Sequence, residues 1–198
     1  MKPIKLGIIR EGKIPRDKRV PFTPEQCQQL RELFPHVTIV VQPSDWRCYT
    51  NAEYEAAGIA LQEDVSDCDI LMGIKEVPKS ELIPGKTYLF FSHTIKKQPH
   101  NRGLLQHILR EKIRLVDYEC LVDLNGNRII GFGRYAGIVG AYNGIMGYGL
   151  KYGLFNLKPA HLCHDKKELF RELRKAHMSN LKIVITGGQG KLDGKIFR

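Results

Sequence analysis

The chain has 198 residues, with 31 Lys and Arg against 21 Asp and Glu and a formal charge of +10. That length allows one large domain, or one domain plus part of a second. Apolar residues at 42% and charged residues at 26% are ordinary for a folded protein and exclude disorder, collagen and coiled coil.

Short apolar runs alternate with helix-like stretches, the pattern of an α/β sheet with parallel strands. The expected strands are Lys5 to Ile9, Val37 to Gln42, Asp69 to Ile74, Thr87 to Phe91, Ile113 to Asp117 and Lys182 to Thr186. Thr23-Pro24-Glu25-Gln26 supplies an N-cap, a proline at the first helical position and a glutamine three residues after the cap, predicting a helix over 24–33. Thr50-Asn51-Ala52-Glu53 repeats the capping pattern, and Asp165-Lys166-Lys167-Glu168 offers an acidic version before a basic amphipathic stretch. Leu124-Asn125-Gly126-Asn127 reads as a hairpin with a type I′ turn. From Tyr135 to Phe155 glycines recur at helical spacing, predicting a buried connector helix that approaches another backbone closely. Leu181 to Thr186 then runs into Gly187-Gly188-Gln189-Gly190, the way a dinucleotide-binding βαβ unit opens, with only eight residues left in the chain.

No apolar run reaches the ~18–20 residues of a membrane span, and Met1-Lys2-Pro3 leads directly into strand-like sequence without a signal-peptide core. The expectation is a soluble, cytoplasmic protein. Cys27, Cys48, Cys68, Cys120 and Cys163 include no Cys-x-x-Cys pair, which points to reduced structural thiols. His161, Cys163, His164 and Asp165 lack a second ligand cluster, so no metal site is expected. Residues 1–20 carry seven Lys/Arg and two acids. A pocket for a small polyanion explains that bias, and no aromatic-interleaved stripe suggests nucleic acid.

Ligands in open α/β sheets collect at the carboxyl ends of strands, so ionisable residues just after the predicted strands are the candidates for chemistry. Arg19 belongs to a basic loop after the first strand and can clamp a carboxylate with two parallel hydrogen bonds. Lys75 and His93 end two successive strands, and Glu119 ends a third. Two potential acid/base groups at one sheet edge, with a carboxylate able either to hold a cationic amine or to orient the imidazole, form a constellation that single residues do not. A solvated loop and ordinary surface salt bridges are the plain alternatives.

Five segments in order carry a resemblance: Asp17-Lys18-Arg19-Val20-Pro21-Phe22-Thr23-Pro24, Gly73-Ile74-Lys75-Glu76-Val77-Pro78, Phe90-Phe91-Ser92-His93-Thr94-Ile95-Lys96-Lys97-Gln98, Asp117-Tyr118-Glu119 and Gly131-Phe132-Gly133-Arg134-Tyr135-Ala136-Gly137. Together they resemble the amino-terminal domain of the alanine dehydrogenase and transhydrogenase superfamily. Within it they look most like lysine-forming saccharopine dehydrogenase and the lysine–ketoglutarate reductase domain of the bifunctional lysine-degrading enzyme. The resemblance implies a flavodoxin-like or Rossmann-like substrate domain over 1–133, connecting helices over 134–180 and the opening of an incomplete NAD(P)-binding domain over 181–198. It implies interconversion of saccharopine with lysine and 2-oxoglutarate, with Lys75 and His93 as acid/base groups. Arg19, Glu119, Lys96, Gln98 and Arg128 would meet substrate, and Gly187, Gly188 and Gly190 would meet NAD or NADP. The glycine run has one residue more than the family's, and the rest of the family's nucleotide-binding domain is missing. The chain is therefore expected to end early, to be inactive and bind neither NAD nor NADP by itself, and to form a possible homodimer. An alanine dehydrogenase-like enzyme and a non-catalytic basic binding module are the rival functions.

Overall fold

The structure is a computed structural model that describes residues 2–178 and 182–184. It divides into two compact units that part between Gly131 and Phe132. The first unit is built on a six-stranded sheet: β1 (Ile4–Ile8), β2 (Val37–Val41), β3 (Ala60–Leu61), β4 (Ile70–Met72), β5 (Thr87–Phe90) and β6 (Arg114–Asp117). Their spatial order is β3-β2-β1-β4-β5-β6, and every pairing is parallel. The chain builds outward from β1 to β3, returns to the other side of β1, and builds outward again to β6. The direction of winding thus reverses between β1 and β4, the place in such sheets where a crevice opens at the carboxyl ends.

Strand periodicity sorts the apolar residues onto the two faces. Val40 packs on one face with Cys68, Leu71, Tyr88, Phe90, Leu104 and Ile108, while its neighbours Ile39 and Val41 pack on the other with Ile8, Cys27, Tyr54 and Ile59. The first face is covered by α3 (Pro99–Arg110), which contributes Leu104 and Ile108. The second is covered by α1 (Pro24–Leu33) and α2 (Asn51–Ala56), which contribute Cys27 and Tyr54. Both latter helices begin with complete capping boxes. Thr23 Oγ1 accepts from the Gln26 N–H at 3.2 Å and Gln26 Oε1 from the Thr23 N–H at 2.9 Å; Thr50 and Glu53 do the same. Cys27 and Cys68 are fully buried, one on each face, and burial pushes both thiols up to about 11.

Three local expectations are corrected. The Asn125-Gly126 segment is not a type I′ turn, because Gly126 has a φ of 75° while Asn125 does not take a positive φ. The Gly126 N–H instead closes onto the Asp123 carbonyl, and an antiparallel bridge between Val122 and Arg128 spans the hairpin. In the second unit the glycine-rich segment does form a helix, α4 (Gly133–Tyr152), but it buries Tyr142 and Gly149 rather than a whole face. A Cβ placed on Gly140, Gly144 or Gly147 would meet nothing within 4 Å among the described residues, whereas one on Gly149 would lie 2.7 Å from the Phe155 carbonyl oxygen, so the expected close backbone approach holds at Gly149 and not at the other three. Lys182–Val184 adopt no regular secondary structure, and the remainder of the expected strand lies outside the described residues. The second unit also holds α5 (Lys166–Leu173), capped by Asp165, whose Oδ1 accepts from the Glu168 N–H at 2.7 Å. Leu169 of α5 packs with Tyr142 and Leu157. Among the described residues no helix is long and apolar enough to cross a membrane.

Gly7 interrupts the β-branched character of β1 for a steric reason. A Cβ there would sit 2.9 Å from Cys68 Sγ and 2.9 Å from Leu71 Cδ2, two side chains that are themselves fully buried. Gly7→Ala is expected to lower stability by about 1–3 kcal/mol through overpacking. Urea unfolding checks this, and an unchanged midpoint would mean that the Cys68 and Leu71 side chains yield the space freely.

Candidate active site

The register of β4, β5 and β6 sets Met72 beside Leu89, Leu89 beside Val116 and Phe90 beside Asp117. The residues just beyond these strands therefore emerge side by side at one edge. Lys75 Nζ lies 2.9 Å from His93 Nε2, and His93 Nδ1 lies 2.9 Å from Glu119 Oε2. A carboxylate only accepts hydrogen bonds, which places a proton on Nδ1 and leaves the Nε2 lone pair of a neutral imidazole facing the Lys75 ammonium. The Glu76 carboxylate also approaches His93 Nε2, at 3.6 Å.

The backbone is arranged to make this contact. His93 takes a left-handed conformation, φ 55°, that is uncommon outside glycine and costs about 1 kcal/mol or more. Its carbonyl accepts from Asn101 Nδ2 at 3.4 Å, and its ring stacks on Phe91 with centroids 6.4 Å apart. The fully buried Ser92 hydroxyl donates to Asp117 Oδ2 and accepts from the Thr94 N–H at 3.1 Å. Asp117 Oδ1 accepts from the Glu119 N–H at 2.9 Å. One buried carboxylate thus braces the loops that carry both His93 and Glu119.

Cations and carboxylates alternate around this chain. Glu76 meets Lys13 Nζ at 2.7 Å and Lys75 Nζ at 3.3 Å. Glu119 meets Lys96 Nζ at 3.3 Å and Arg128 at 3.7 Å. Arg19 is held by Asp17, with Nε donating to Oδ1 at 2.8 Å. Burial would push all three carboxyls up, but hydrogen bonds and neighbouring charges overcome it. The Lys13 hydrogen bond and the Lys75 charge hold Glu76 below its ordinary value, His93 and Lys96 do so for Glu119, and Arg19 with a contribution from Lys75 does so for Asp17.

Of the residues singled out from sequence, Lys75, His93, Glu119, Lys96 and Arg128 form one connected cluster. Arg19 is linked to it through Asp17, whose carboxyl bonds Arg19 and also feels the Lys75 charge. Gln98 is exposed at the start of α3 and lines a surface hollow with Thr94, Lys97, Asn101 and Arg102. Gly187, Gly188 and Gly190 lie outside the described residues. Sequence reasoning placed Lys13 in the basic loop but did not single out Glu11, Asp17, Glu76, Ser92 or Asp117 as site residues. Glu76 was recoverable from its position beside Lys75, and Asp117 from its place at the end of a predicted strand.

A doubly wound parallel sheet with a lysine, a histidine and counter-charged carboxylates at its carboxyl edge places the first unit in the open α/β class, with the candidate site where such sheets open a crevice. The model of the alanine dehydrogenase/PNT amino-terminal domain matches residues 7–139, and the chain belongs to that family. It is 41% identical over 146 residues to the mitochondrial alpha-aminoadipic semialdehyde synthase of Bos taurus, covering 74% of this chain and 16% of that protein. It is 29% identical over 148 residues to the NAD(+), L-lysine-forming saccharopine dehydrogenase of Yarrowia lipolytica, covering 72% and 39%. The chain thus spans well under half of these curated relatives. A transhydrogenase structure from Sinorhizobium meliloti superimposes with a TM-score of 0.58 at 16% identity, over 72% of this chain and 44% of that one, a likeness of fold.

Glu76, Glu119 and Asp17 bind fewer protons when folded than when unfolded, so their contribution to stability is full above their ordinary values and is lost as pH falls through the folded ones. Glu11, whose carboxyl burial raises, works in the opposite sense. The unfolding free energy is expected to decline as pH drops below about 4.5, and less steeply in a Glu76→Gln/Glu119→Gln variant. Urea titrations at stepped pH measure both slopes, and parallel curves would remove these two carboxylates as the cause.

Proposed function

We propose that this chain is the substrate-side domain of an NAD(P)-linked amino-acid oxidoreductase that interconverts saccharopine with lysine and 2-oxoglutarate. The observation that carries the reading is the Glu119–His93–Lys75 chain, two basic nitrogens 2.9 Å apart beside a cluster of cations. Supporting it, proteins whose names state saccharopine dehydrogenase and alpha-aminoadipic semialdehyde synthase match most of the chain. In this reading 1–133 is the substrate domain, 134–180 connects, and 181–198 opens the nucleotide-binding segment with Gly187, Gly188 and Gly190.

Oxidation at a carbon–nitrogen bond requires the secondary amine to lose a proton, the resulting imine to be hydrated and the product amine to be protonated. A bound nicotinamide supplies the hydride acceptor. In this reading Lys75 and His93 trade the protons, since a proton can pass directly between nitrogens 2.9 Å apart. Glu119 holds the imidazole in the tautomer that presents Nε2 to Lys75. Saccharopine carries three carboxylates, and Lys13, Arg19, Lys96 and Arg128 are the cations that would take them. Each is already balanced by Glu76, Asp17 or Glu119. Substrate would therefore exchange one carboxylate for another rather than neutralise a bare charge. Gln98, near the Lys96 turn, would add a hydrogen bond at the rim.

Binding is measurable on the 198-residue chain itself by calorimetry and by NMR, with saccharopine, lysine, 2-oxoglutarate and pyruvate as separate titrants. Saccharopine is expected to shift the His93 ring signals, and Arg19→Ala to weaken its binding about tenfold or more, the scale of one charged hydrogen bond. In a chain completed with a relative's nucleotide-binding segment, Lys75→Met or His93→Gln is expected to lower kcat about 10²–10⁴-fold. Pyruvate binding without saccharopine binding would favour the alanine dehydrogenase-like alternative. Salt-dependent binding of nucleic acid with no response to any of these titrants would point to a basic binding module. Turnover unaffected by either substitution would end the acid/base assignment.

A further inference from the structure

Lys75 sits where β4 has stopped pairing with β1, so something other than the sheet must fix its backbone. The Ile9 N–H donates to the Met72 carbonyl at 2.9 Å as the β1–β4 ladder closes. On its other side the segment after β4 stays bonded to the next strand, through Gly73 N–H to Leu89 O and Phe91 N–H to Ile74 O, both at 3.0 Å. The side facing β1 is held by a side chain instead. Glu11 Oε1 accepts from the Ile74 N–H at 2.6 Å, and Glu11 Oε2 accepts from the Lys75 N–H at 2.9 Å.

This arrangement constrains geometry. Consecutive N–H groups of an extended strand point to opposite sides, so two of them can meet one carboxylate only where the backbone turns. Glu11 therefore fixes a turn at Ile74–Lys75, at the point from which the lysine side chain departs toward His93. Gly73 makes room for it: a Cβ there would lie 3.1 Å from the Ile9 side chain and 3.3 Å from Glu11 Oε1. The ionised form is costly in this half-buried place. Burial and the Asp17 charge push the Glu11 carboxyl up, and the two backbone N–H groups and Arg19 offset part of that. The Tyr118 hydroxyl is buried close enough to feel the Glu11 charge and has no hydrogen-bond partner among the described residues. A carboxylate kept in a place that disfavours its charge needs a reason, and the turn supplies one.

We propose that Glu11 is a positioning residue for the Lys75–His93 pair, its two oxygens holding the Ile74–Lys75 turn so that Lys75 Nζ meets His93 Nε2. The functional meaning rests on the acid/base reading of that pair, whereas the geometric claim stands by itself. Glu11→Gln keeps the size of the side chain but retains one acceptor oxygen and adds a donor, so one of the two N–H groups would face an NH₂ group.

Nitrogen-15 NMR of the His93 ring in the 198-residue chain tests it. In Glu11→Gln the His93 Nε2 signal is expected to move toward that of an imidazole without a lysine donor, while Nδ1 keeps its Glu119-bonded signature. Glu63→Gln, which removes a carboxylate paired to Arg10 instead, is expected to leave both nitrogens unmoved. Unchanged His93 signals in a folded Glu11→Gln protein would overturn the proposal, as would equal changes in Glu63→Gln. If Glu11→Gln does not fold, Gly73→Ala, which crowds the same carboxylate, is read in the same way, and couplings from the Ile74 and Lys75 amides to the Glu11 carboxyl carbon are sought in the unsubstituted chain. Absence of either coupling would also overturn it. If Lys75→Met leaves turnover of a completed chain intact, the acid/base reading fails while the His93 spectra still decide the role of Glu11.

Discussion

Parallel pairing makes every strand of a sheet end on the same edge, and here that constraint decides what the protein can do. Each of β4, β5 and β6 reaches the edge in register with its neighbour. An ionisable residue two or three positions beyond each strand then meets its counterpart without any loop having to reach far. An antiparallel neighbour would bring an amino end to that edge and break the row. The crossover helices and the packed faces of the sheet maintain this register, so the core is a precondition of the site as well as the source of stability.

The same edge concentrates charge, and the structure deals with it by alternation. Lysines and arginines are interleaved with Glu76, Glu119 and Asp17, and the most buried of these acids are the ones touched by two or more cations. Burying an unpaired charge costs several kcal/mol, so no single member of such a network is neutral to remove. Part of the positive balance in the opening residues is thus matched locally by acids distant in sequence, as Lys13 is by Glu76 and Arg10 by Glu63.

Much of this was legible in the sequence, because strands and capped helices are written locally. The apolar run of Val37 to Val41 and the Thr23 capping box each specify their element without reference to the rest of the chain. Lys75, His93 and Glu119 were recognisable as strand-end residues. The two-residue β3 is too short to leave a periodic signature, and the glycines of α4 fit a close-packed helix as well as an exposed one. The acids of the site were harder still. Glu11 and Asp17 lie in a basic loop with no periodicity, and what each touches depends on how that loop folds back across β4. Residue type and spacing identify the groups that titrate, but the ones that hold them in place are known only from three-dimensional contacts.

The two buried thiols give this fold its own gauge of internal motion. A cysteine is alkylated only as thiolate and only when the reagent reaches it. Cys48 and Cys120 are exposed, whereas Cys27 and Cys68 are sealed on opposite faces of the sheet with their thiols pushed up to about 11. Labelling of Cys27 therefore reports the lifting of α1 from one face, and labelling of Cys68 the opening of the layer on the other. The ratio of the two rates says whether the layers separate together or one at a time, so two atoms already in the chain distinguish a concerted unfolding from a stepwise one.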